Sequence, residues 1–313
     1  MSGTARRAAA AVLTVVGILS VSVCGAAGTT CTAAAVEPPA VVLRDIARAP
    51  RIARGETIDL DTSRTLFLPE GWLDTLTTPG AGIRLTLHYH GAQWYAIEEH
   101  ARRGARNPML AQYLGEGSRV YQAPYLEQAR LRDELASVSA ELRRRGAPPG
   151  AAVTELEIQS FSAGYGAVRE ILKSPDYVSM IRAVVLADSL YASLTTDTEG
   201  RRVPDPGQMA PFISFARQAA NGERLMVVAH SSIPTANYCS TVETADAIVQ
   251  ALDLVREEVR PGSIPAADAA LEFRLVSRAE AGRLHIWGYA GATPQAHMAV
   301  ARTIADFWRA ADP

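Results

Sequence analysis

Ser162 lies in a short run of very small residues, where a serine hydroxyl can act as a nucleophile. The run is part of "LEIQSFSAGYGAVREIL", residues 156 to 172, an apolar stretch followed by a helical pattern. Ser160 and Gly164 stand two residues before and after Ser162. A nucleophilic serine on a sharp strand-to-helix turn tolerates only small residues at those positions. The pattern S-x-S-x-G therefore predicts a nucleophile, and the alternative is a serine that caps the helix.

A serine hydroxyl becomes a strong nucleophile when a base removes its proton and a carboxylate orients that base. Of the six histidines, His297 lies in "GATPQAHM", the loop expected between the last strand and the last helix. We therefore predict that His297 is the base. His285 falls within a predicted strand, which indicates a core role. His100 falls on a predicted helix beside Glu98 and Glu99, which indicates exposure to solvent.

Asp188 is the favoured acid, because it ends "IRAVVLAD", the strand predicted directly after the helix that follows Ser162. The carboxyl ends of neighbouring parallel strands meet at one edge of a sheet. Glu243 and Asp246 remain alternatives, since they follow the next strand. Both also fit the first turn of a helix, where the helix dipole stabilises carboxylates.

Two backbone N–H groups are needed to bind the oxygen that becomes negative during acyl transfer. Ala163, which follows the nucleophile, is one expected donor. The loop "LHYHGA" after a predicted strand is expected to supply the second, from Gly91 or Ala92, with Gln93 as an alternative. Four further side chains are expected to line the substrate site: His90, Trp94, Tyr191 and His230.

The pair His88 and His90 also resembles half of a metal site, because alternate residues of a strand share a face. No third ligand accompanies the pair in the sequence, and no CxxC spacing is present. We therefore predict no metal and no cofactor. The only lysine, Lys173, lies near the end of a predicted amphipathic helix, where an exposed amine is not activated for Schiff-base chemistry.

Strand-like and helical stretches alternate along the chain. The apolar runs "VTELEIQSF", "IRAVVLAD" and "ERLMVVAH" are separated by segments with helical spacing, and a long amphipathic helix is predicted over 125 to 145. This alternation predicts a mostly parallel central sheet with helices on both faces, a three-layer α/β sandwich.

Composition excludes several classes of function. With 313 residues, 48% of them hydrophobic and 20% charged, the chain can bury a large core. The formal net charge of −2 gives no electrostatic support for binding nucleic acid. The three cysteines build no disulfide framework, and we expect Cys239 to be a small buried residue.

The first residues have the layout of a secretory signal. Arg6 and Arg7 precede an uncharged apolar stretch and then small residues, with a possible cleavage site after Ala35. We predict a signal over 1 to 35, a lead-in over 36 to 56 and one domain over 57 to 313. The mature chain would then be secreted or periplasmic, without a stable membrane span. An uncleaved membrane anchor is the alternative.

Four features together resemble the α/β-hydrolase fold over residues 57 to 311. They are the S-x-S-x-G turn at Ser162, here called the elbow, the His90–Gly91 loop after a strand, the aspartate that ends a later strand, and the histidine after the last strand. There is also a fainter likeness to bacterial sequences with an SFSAGYG elbow, in which Gly-Leu-His follows the aspartate. Here that stretch reads "DSLY". The resemblance implies a serine hydrolase with Ser162 as nucleophile, His297 as base and Asp188 as orienting acid.

The predicted substrate is an ester of a small molecule or a polymer. No long apolar run indicates a lipase lid, so the expectation is a carboxylesterase. An amidase or acyltransferase with the same three residues remains open. A non-catalytic exported binding protein on the same scaffold is the alternative from another class.

Overall fold

The computed structural model describes residues 36–40, 51–76, 82–260 and 273–312. The predicted signal over 1–35 lies outside the described residues, and the predicted lead-in is described only in part. All described residues fall within one compact unit, Val36–Pro313. None of the helices in these ranges has the length and apolar character that crossing a membrane requires.

The described chain contains thirteen strands, and ten of them form one central sheet. These ten are β1 (Gly55–Asp59), β2 (Arg64–Pro69), β3 (Ile83–Tyr89), β4 (Met109–Gln112), β5 (Val153–Phe161), β6 (Ile181–Ala187), β9 (Leu225–His230), β11 (Glu257–Glu258), β12 (Leu275–Ala281) and β13 (Leu284–Tyr289). The other three form a small separate sheet: β7 (Ala192–Thr196), β8 (Arg202–Pro204) and β10 (Tyr238–Cys239).

The central sheet is parallel in its middle and antiparallel at both edges. Its order is β1-β2-β4-β3-β5-β6-β9-β13-β12-β11. The six strands from β4 to β13 in this order run parallel. The outer pairs on both sides are antiparallel. The prediction of a mostly parallel sheet is therefore confirmed.

Helices cover both faces of this sheet. They are α1 (Gln93–Arg102), α2 (Ser118–Tyr125), α3 (Ala129–Arg144), α4 (Tyr165–Ile171), α5 (Pro175–Met180), α6 (Pro206–Ala220), α7 (Thr241–Ala251), α8 (Pro294–Ala301) and α9 (Ile304–Ala311). Alternate residues of a strand point to opposite faces. Val184 and Leu186 of β6 accordingly belong to the core cluster that includes residues of α2, α3, α4, α6 and α7, whereas Val185 and Ala187 belong to the cluster that includes residues of α8 and α9. The three-layer sandwich is confirmed.

The strand order reverses direction between β3 and β5. The chain passes from β3 to β4 on one side and then crosses to β5 on the other side of β3. The crevice outside the carboxyl ends of two such strands is the usual ligand site of open α/β sheets. Residues 90 to 92 follow β3, and Ser162 follows β5, so both predicted catalytic loops open into this crevice.

Several predicted boundaries are wrong, for local reasons. The long helix begins at Ala129 rather than 125, because a separate helix, α2, ends at Tyr125. The closing helix is broken into α8 and α9 at Thr303, whose hydroxyl donates to the carbonyl of Ala299. Such a bond from a side chain competes with the helical backbone pattern. The short strands β4, β7, β8 and β10 were not predicted.

The expectation that His100 is exposed is also wrong. The side chain is completely buried, and its Nε2 atom lies 2.8 Å from the carbonyl oxygen of Asn107. Burial, followed by the nearby Arg103 cation, lowers the pKa of His100 to about 3. Neighbouring Glu99 is buried too and accepts a bond from the Ala305 amide of α9. Glu99 and His100 therefore lie on the buried side of α1.

Gly164 lies too close to the backbone of β3 to carry a side chain. A Cβ atom at this position would lie 2.3 Å from the carbonyl oxygen of Tyr89, which belongs to the backbone of β3 and cannot move aside. Gly164→Ala should therefore lower the free energy of unfolding by about 2 to 3 kcal/mol in urea titrations. Gly207→Ala is the matched control, since its nearest atom is a side-chain oxygen of Asp205 at 3.2 Å. Equal stability of the two variants would contradict this account of the elbow.

Candidate active site

Ser162 occupies a strained turn between a buried strand and a helix. The strand β5 ends at Phe161, a 3₁₀ turn spans Ser162–Gly164, and α4 follows at Tyr165. The backbone of Ser162 has φ 48°, in the left-handed region that non-glycine residues rarely adopt. The predicted strand, turn and helix are therefore present, and the strain sits on the serine itself.

Two neighbouring strands end in the same unusual conformation. His90 follows β3 with φ 70°, and Asp188 follows β6 with φ 46°. Within the described ranges, Asp253 is the only other non-glycine residue with positive φ. Strain of this kind persists where the surrounding structure enforces it, and it concentrates at functional sites. Three adjacent strands thus deliver three strained polar residues to one edge of the sheet.

Ser160 explains why the elbow departs from the usual glycine. Its fully buried hydroxyl lies 2.7 Å from the hydroxyl of Ser189, which in turn donates to the carbonyl of Ser162 at 2.8 Å. A glycine at position 160 would leave Ser189 without this partner. The two serines therefore join the nucleophile turn to the loop that carries Asp188. Ser189 was not predicted, because only the folded sheet brings it to the elbow.

Asp188 is completely buried and accepts four hydrogen bonds. Oδ1 accepts from the Ser231 amide at 3.0 Å and the Thr241 hydroxyl at 2.8 Å. Oδ2 accepts from the Ser231 hydroxyl at 2.6 Å and from Nδ1 of His297 at 2.7 Å. Burial alone would raise the pKa of Asp188, but the bonds from His297 and Ser231 hold it below its ordinary value. The carboxylate is therefore ionised and fixed.

His297 is oriented by this carboxylate. An ionised carboxylate only accepts hydrogen bonds, so Nδ1 carries the proton and Nε2 of the neutral ring has a free lone pair. The ring also stacks against Phe161, the residue before the nucleophile, with centroids 4.4 Å apart. His297 lies in the first turn of α8 rather than in the expected loop, because Thr293 caps that helix and Pro294 begins it.

Ser162 and His297 line the same cavity, which has a volume of about 780 Å³. Three other residues named from the sequence line it as well: Ala163, predicted as an oxyanion donor, and His90 and Tyr191, predicted to contact substrate. Across the described residues the hydroxyl of Ser162 makes no hydrogen bond, including to His297. In free enzymes such contacts are often long and tighten only when substrate binds.

Besides the buried Asp188, four predicted residues lie outside the lining of this cavity: Gly91, Ala92, Trp94 and His230. Trp94 is on the outer side of α1, with the Arg51 guanidinium 3.7 Å above its ring. His230 is buried, with Nδ1 2.9 Å from the Ser231 carbonyl and Nε2 3.1 Å from Arg256. These contacts occupy both side chains away from the cavity.

The two alternative acids are bound elsewhere. Glu243 forms a reciprocal capping box with Ser240 at the start of α7 and also pairs with Arg202. Asp246 pairs with Arg256 at 2.8 Å. Asp188 is the candidate whose carboxylate bonds His297.

Both nitrogens of His88 are engaged within the protein. Nε2 lies 2.7 Å from the carbonyl oxygen of His90, and Nδ1 lies 3.1 Å from the amide nitrogen of Gln159. In the described residues no group of three or more His, Cys, Asp or Glu side chains could hold a metal ion. The arrangement makes His88 a brace for the strained backbone of His90.

No protein-family model matches this chain, and no curated protein matches it. The chain is similar to the solved structure of a ferulic acid esterase, with 11% identity, TM-score 0.43 and coverage of 83% of this chain and 100% of that one. It is also similar to an acetyl xylan esterase from Aspergillus awamori, with 13% identity, TM-score 0.40 and coverage of 80% and 98%.

A third similar structure is an S-formylglutathione hydrolase from Agrobacterium tumefaciens, with 9% identity, TM-score 0.41 and coverage of 82% and 93%. At these values the three likenesses carry no argument about this chain, and its architecture is read from its own sheet and helices. The parallel sheet, its two helical layers and the strained serine after a central strand are features of the α/β-hydrolase fold. The predicted mostly parallel sheet with helices on both faces is confirmed.

The burial of His88 makes the free energy of unfolding depend on pH. Burial lowers the pKa of His88 to about 4, against 6.5 when exposed. The unfolded chain therefore binds more protons between these values, and stability is lost as pH falls from about 6.5 toward 4. Gln can replace both hydrogen bonds without titrating. Between pH 7 and pH 4, His88→Gln should lose about 3 kcal/mol less unfolding free energy than the wild type in urea titrations. An unchanged loss would contradict the prediction.

Proposed function

We propose that this protein is a serine hydrolase that cleaves esters with Ser162 as nucleophile, His297 as base and Asp188 as orienting acid. One observation carries the proposal. The imidazole of His297 is held at 2.7 Å by the buried carboxylate of Asp188 and lines the same cavity as the strained Ser162. These are the three roles of a nucleophile, a base and a group that fixes the base.

The reaction proceeds in two steps. His297 takes the hydroxyl proton through Nε2 while Ser162 Oγ attacks the ester carbonyl carbon. The C–O bond to the alcohol then breaks, and the imidazolium returns the proton to the departing oxygen. Water deprotonated by His297 releases the acyl group and regenerates the serine. Asp188 stabilises the imidazolium in both steps because it is ionised and buried beside the ring.

The negative oxygen of the intermediate needs donors that are already in place. The N–H of Ala163 is suited to this, since the first N–H groups of a helical turn have no preceding carbonyl to bond. For the second donor we propose the amide of Gly91 or Ala92: neither residue lines the cavity, but both follow His90, which does line it and begins their loop in a strained conformation. His88 supports that loop through the carbonyl of His90. The enzyme acts outside the cytoplasm if residues 1–35 serve as the predicted signal.

A fluorophosphonate probe tests the nucleophile. The folded protein should be labelled, and Ser162→Ala should abolish labelling and lower ester turnover by about 10⁴-fold or more. Ser179→Ala is the matched control, because Ser179 lies on α5 outside the cavity lining and its hydroxyl donates to the carbonyl of Asp176. Labelling that persists in Ser162→Ala would refute the assignment. Absence of labelling in the folded wild type would favour a binding protein.

The acid is tested by comparing two conservative variants. Asp188→Asn removes the charge that fixes His297 and should reduce kcat by about 10³ to 10⁴-fold. Glu243→Gln weakens a helix cap and should cost about 1 kcal/mol of stability with little effect on kcat. Steady-state kinetics and urea unfolding of both variants give the answer. A larger loss of kcat in Glu243→Gln would overturn the choice of Asp188.

A further inference from the structure

One wall of the cavity is formed by three tyrosines in a row. Tyr165 lies 5.5 Å from Tyr191, and Tyr191 lies 5.6 Å from Tyr238, measured between ring centroids. All three side chains line the cavity. The row extends from the helix that carries the nucleophile turn to Tyr238, which is 47% exposed. Neither Tyr165 nor Tyr238 was predicted as a site residue.

Most of the other side chains in the lining carry polar groups, and small apolar residues stand among them: Ala163, Ala192, Ala292 and Pro294. Ile233 is the only large aliphatic side chain that the described residues contribute to the cavity. Apart from the tyrosine rings, the cavity therefore offers a fatty acyl chain or alkyl alcohol little aliphatic surface against which to bury its length. Side chains with hydrogen-bonding groups stand around the tyrosines instead: Ser118, Gln122, Arg169, Ser193 and Gln208.

Several of these polar groups are held in place before any ligand arrives. Gln208 accepts from Arg169 at 2.8 Å and from the Ser193 amide at 2.9 Å, and it donates to the Ser193 hydroxyl at 2.8 Å. Gln122 donates to the buried carboxylate of Glu170 at 2.9 Å. Side chains that are already fixed lose little conformational entropy when a ligand binds. Their hydrogen bonds therefore add more to the affinity for a polar ligand.

The tyrosine wall is fixed as well. Arg202 donates to the carbonyls of Ala236 and Thr235, at 2.8 and 3.0 Å, and to the carbonyl of Tyr238. Its guanidinium is paired with Glu243. The segment that presents Tyr238 to the cavity is thereby clamped to the small sheet. Charge does not decide the ligand, because Glu170 contacts both Arg169 and Lys173 and offsets them.

We propose, on the basis of the proposed function, that the alcohol part of the ester is a sugar. A sugar ring has apolar C–H faces and a rim of hydroxyl groups. Its faces match tyrosine rings, which combine an apolar body with a polar tip, and its hydroxyls match the fixed amides and guanidinium. In a sugar ester a ring hydroxyl forms the ester bond, so the ring is the alcohol that His297 protonates as it leaves.

Two acetate esters test this proposal. Methyl tetra-O-acetylglucopyranoside carries the ring, and ethyl acetate carries the same acyl group without it; acetate release is measured for both. The wild type should have at least about tenfold higher kcat/KM for the sugar ester. Tyr238→Ala should lower kcat/KM for the sugar ester about tenfold, mainly by raising KM. It should change kcat/KM for ethyl acetate by less than about twofold. Tyr238→Phe, which keeps the ring, should resemble the wild type.

Tyr177→Ala is the control, because Tyr177 is a tyrosine outside the lining whose hydroxyl donates to the carbonyl of Gln128, and the variant should leave the kcat/KM of both esters unaffected. Equal losses of Tyr238→Ala on the two esters, or no loss on either, would overturn the sugar proposal and leave the hydrolase intact. A higher kcat/KM of the wild type for ethyl hexanoate than for the sugar ester would also overturn the sugar proposal. A wild type that cleaves no ester and takes no fluorophosphonate label would end both proposals.

Discussion

The bond between Asp188 and His297 is the interaction on which the proposed chemistry depends. It joins the end of β6 to the first turn of α8, residues 109 positions apart, across 2.7 Å. Ser231 and Thr241 hold the same carboxylate from β9 and α7. The charge is kept in a buried place because these donors outweigh the penalty of burial. The acid is therefore a meeting point of four elements.

Strain and bracing complement that bond. Three adjacent parallel strands end in left-handed polar residues, and each is secured by hydrogen bonds that involve nearby side chains. His88 supports His90, the pair Ser160 and Ser189 supports Ser162, and Ser231 supports Asp188. Sub-ångström errors in such a site reduce turnover, so rigid support from the second layer of contacts is what allows catalysis. The large parallel sheet provides the rigid base.

The sequence predicted the features that depend on periodicity and local chemistry. The alternation of apolar strands and helices yielded the sheet, and the small residues around Ser162 yielded the turn. It missed what only tertiary packing creates: the burial of His100, the role of Ser189 and the tyrosine wall. It also predicted that Trp94 and His230 line the substrate site, whereas neither side chain lines the cavity in the folded protein. A residue's position after a strand indicates its edge of the sheet, not the direction of its side chain.

The central claim is that Ser162, His297 and Asp188 act together on one bound carbonyl. A crystal structure of the protein after reaction with a phosphonate ester tests this most directly. The account predicts phosphorus bonded to Ser162 Oγ, a phosphoryl oxygen within hydrogen-bond distance of the Ala163 amide, and His297 Nε2 facing the adduct with its bond to Asp188 intact. An adduct on another residue, or an imidazole turned away from the phosphorus, would contradict it.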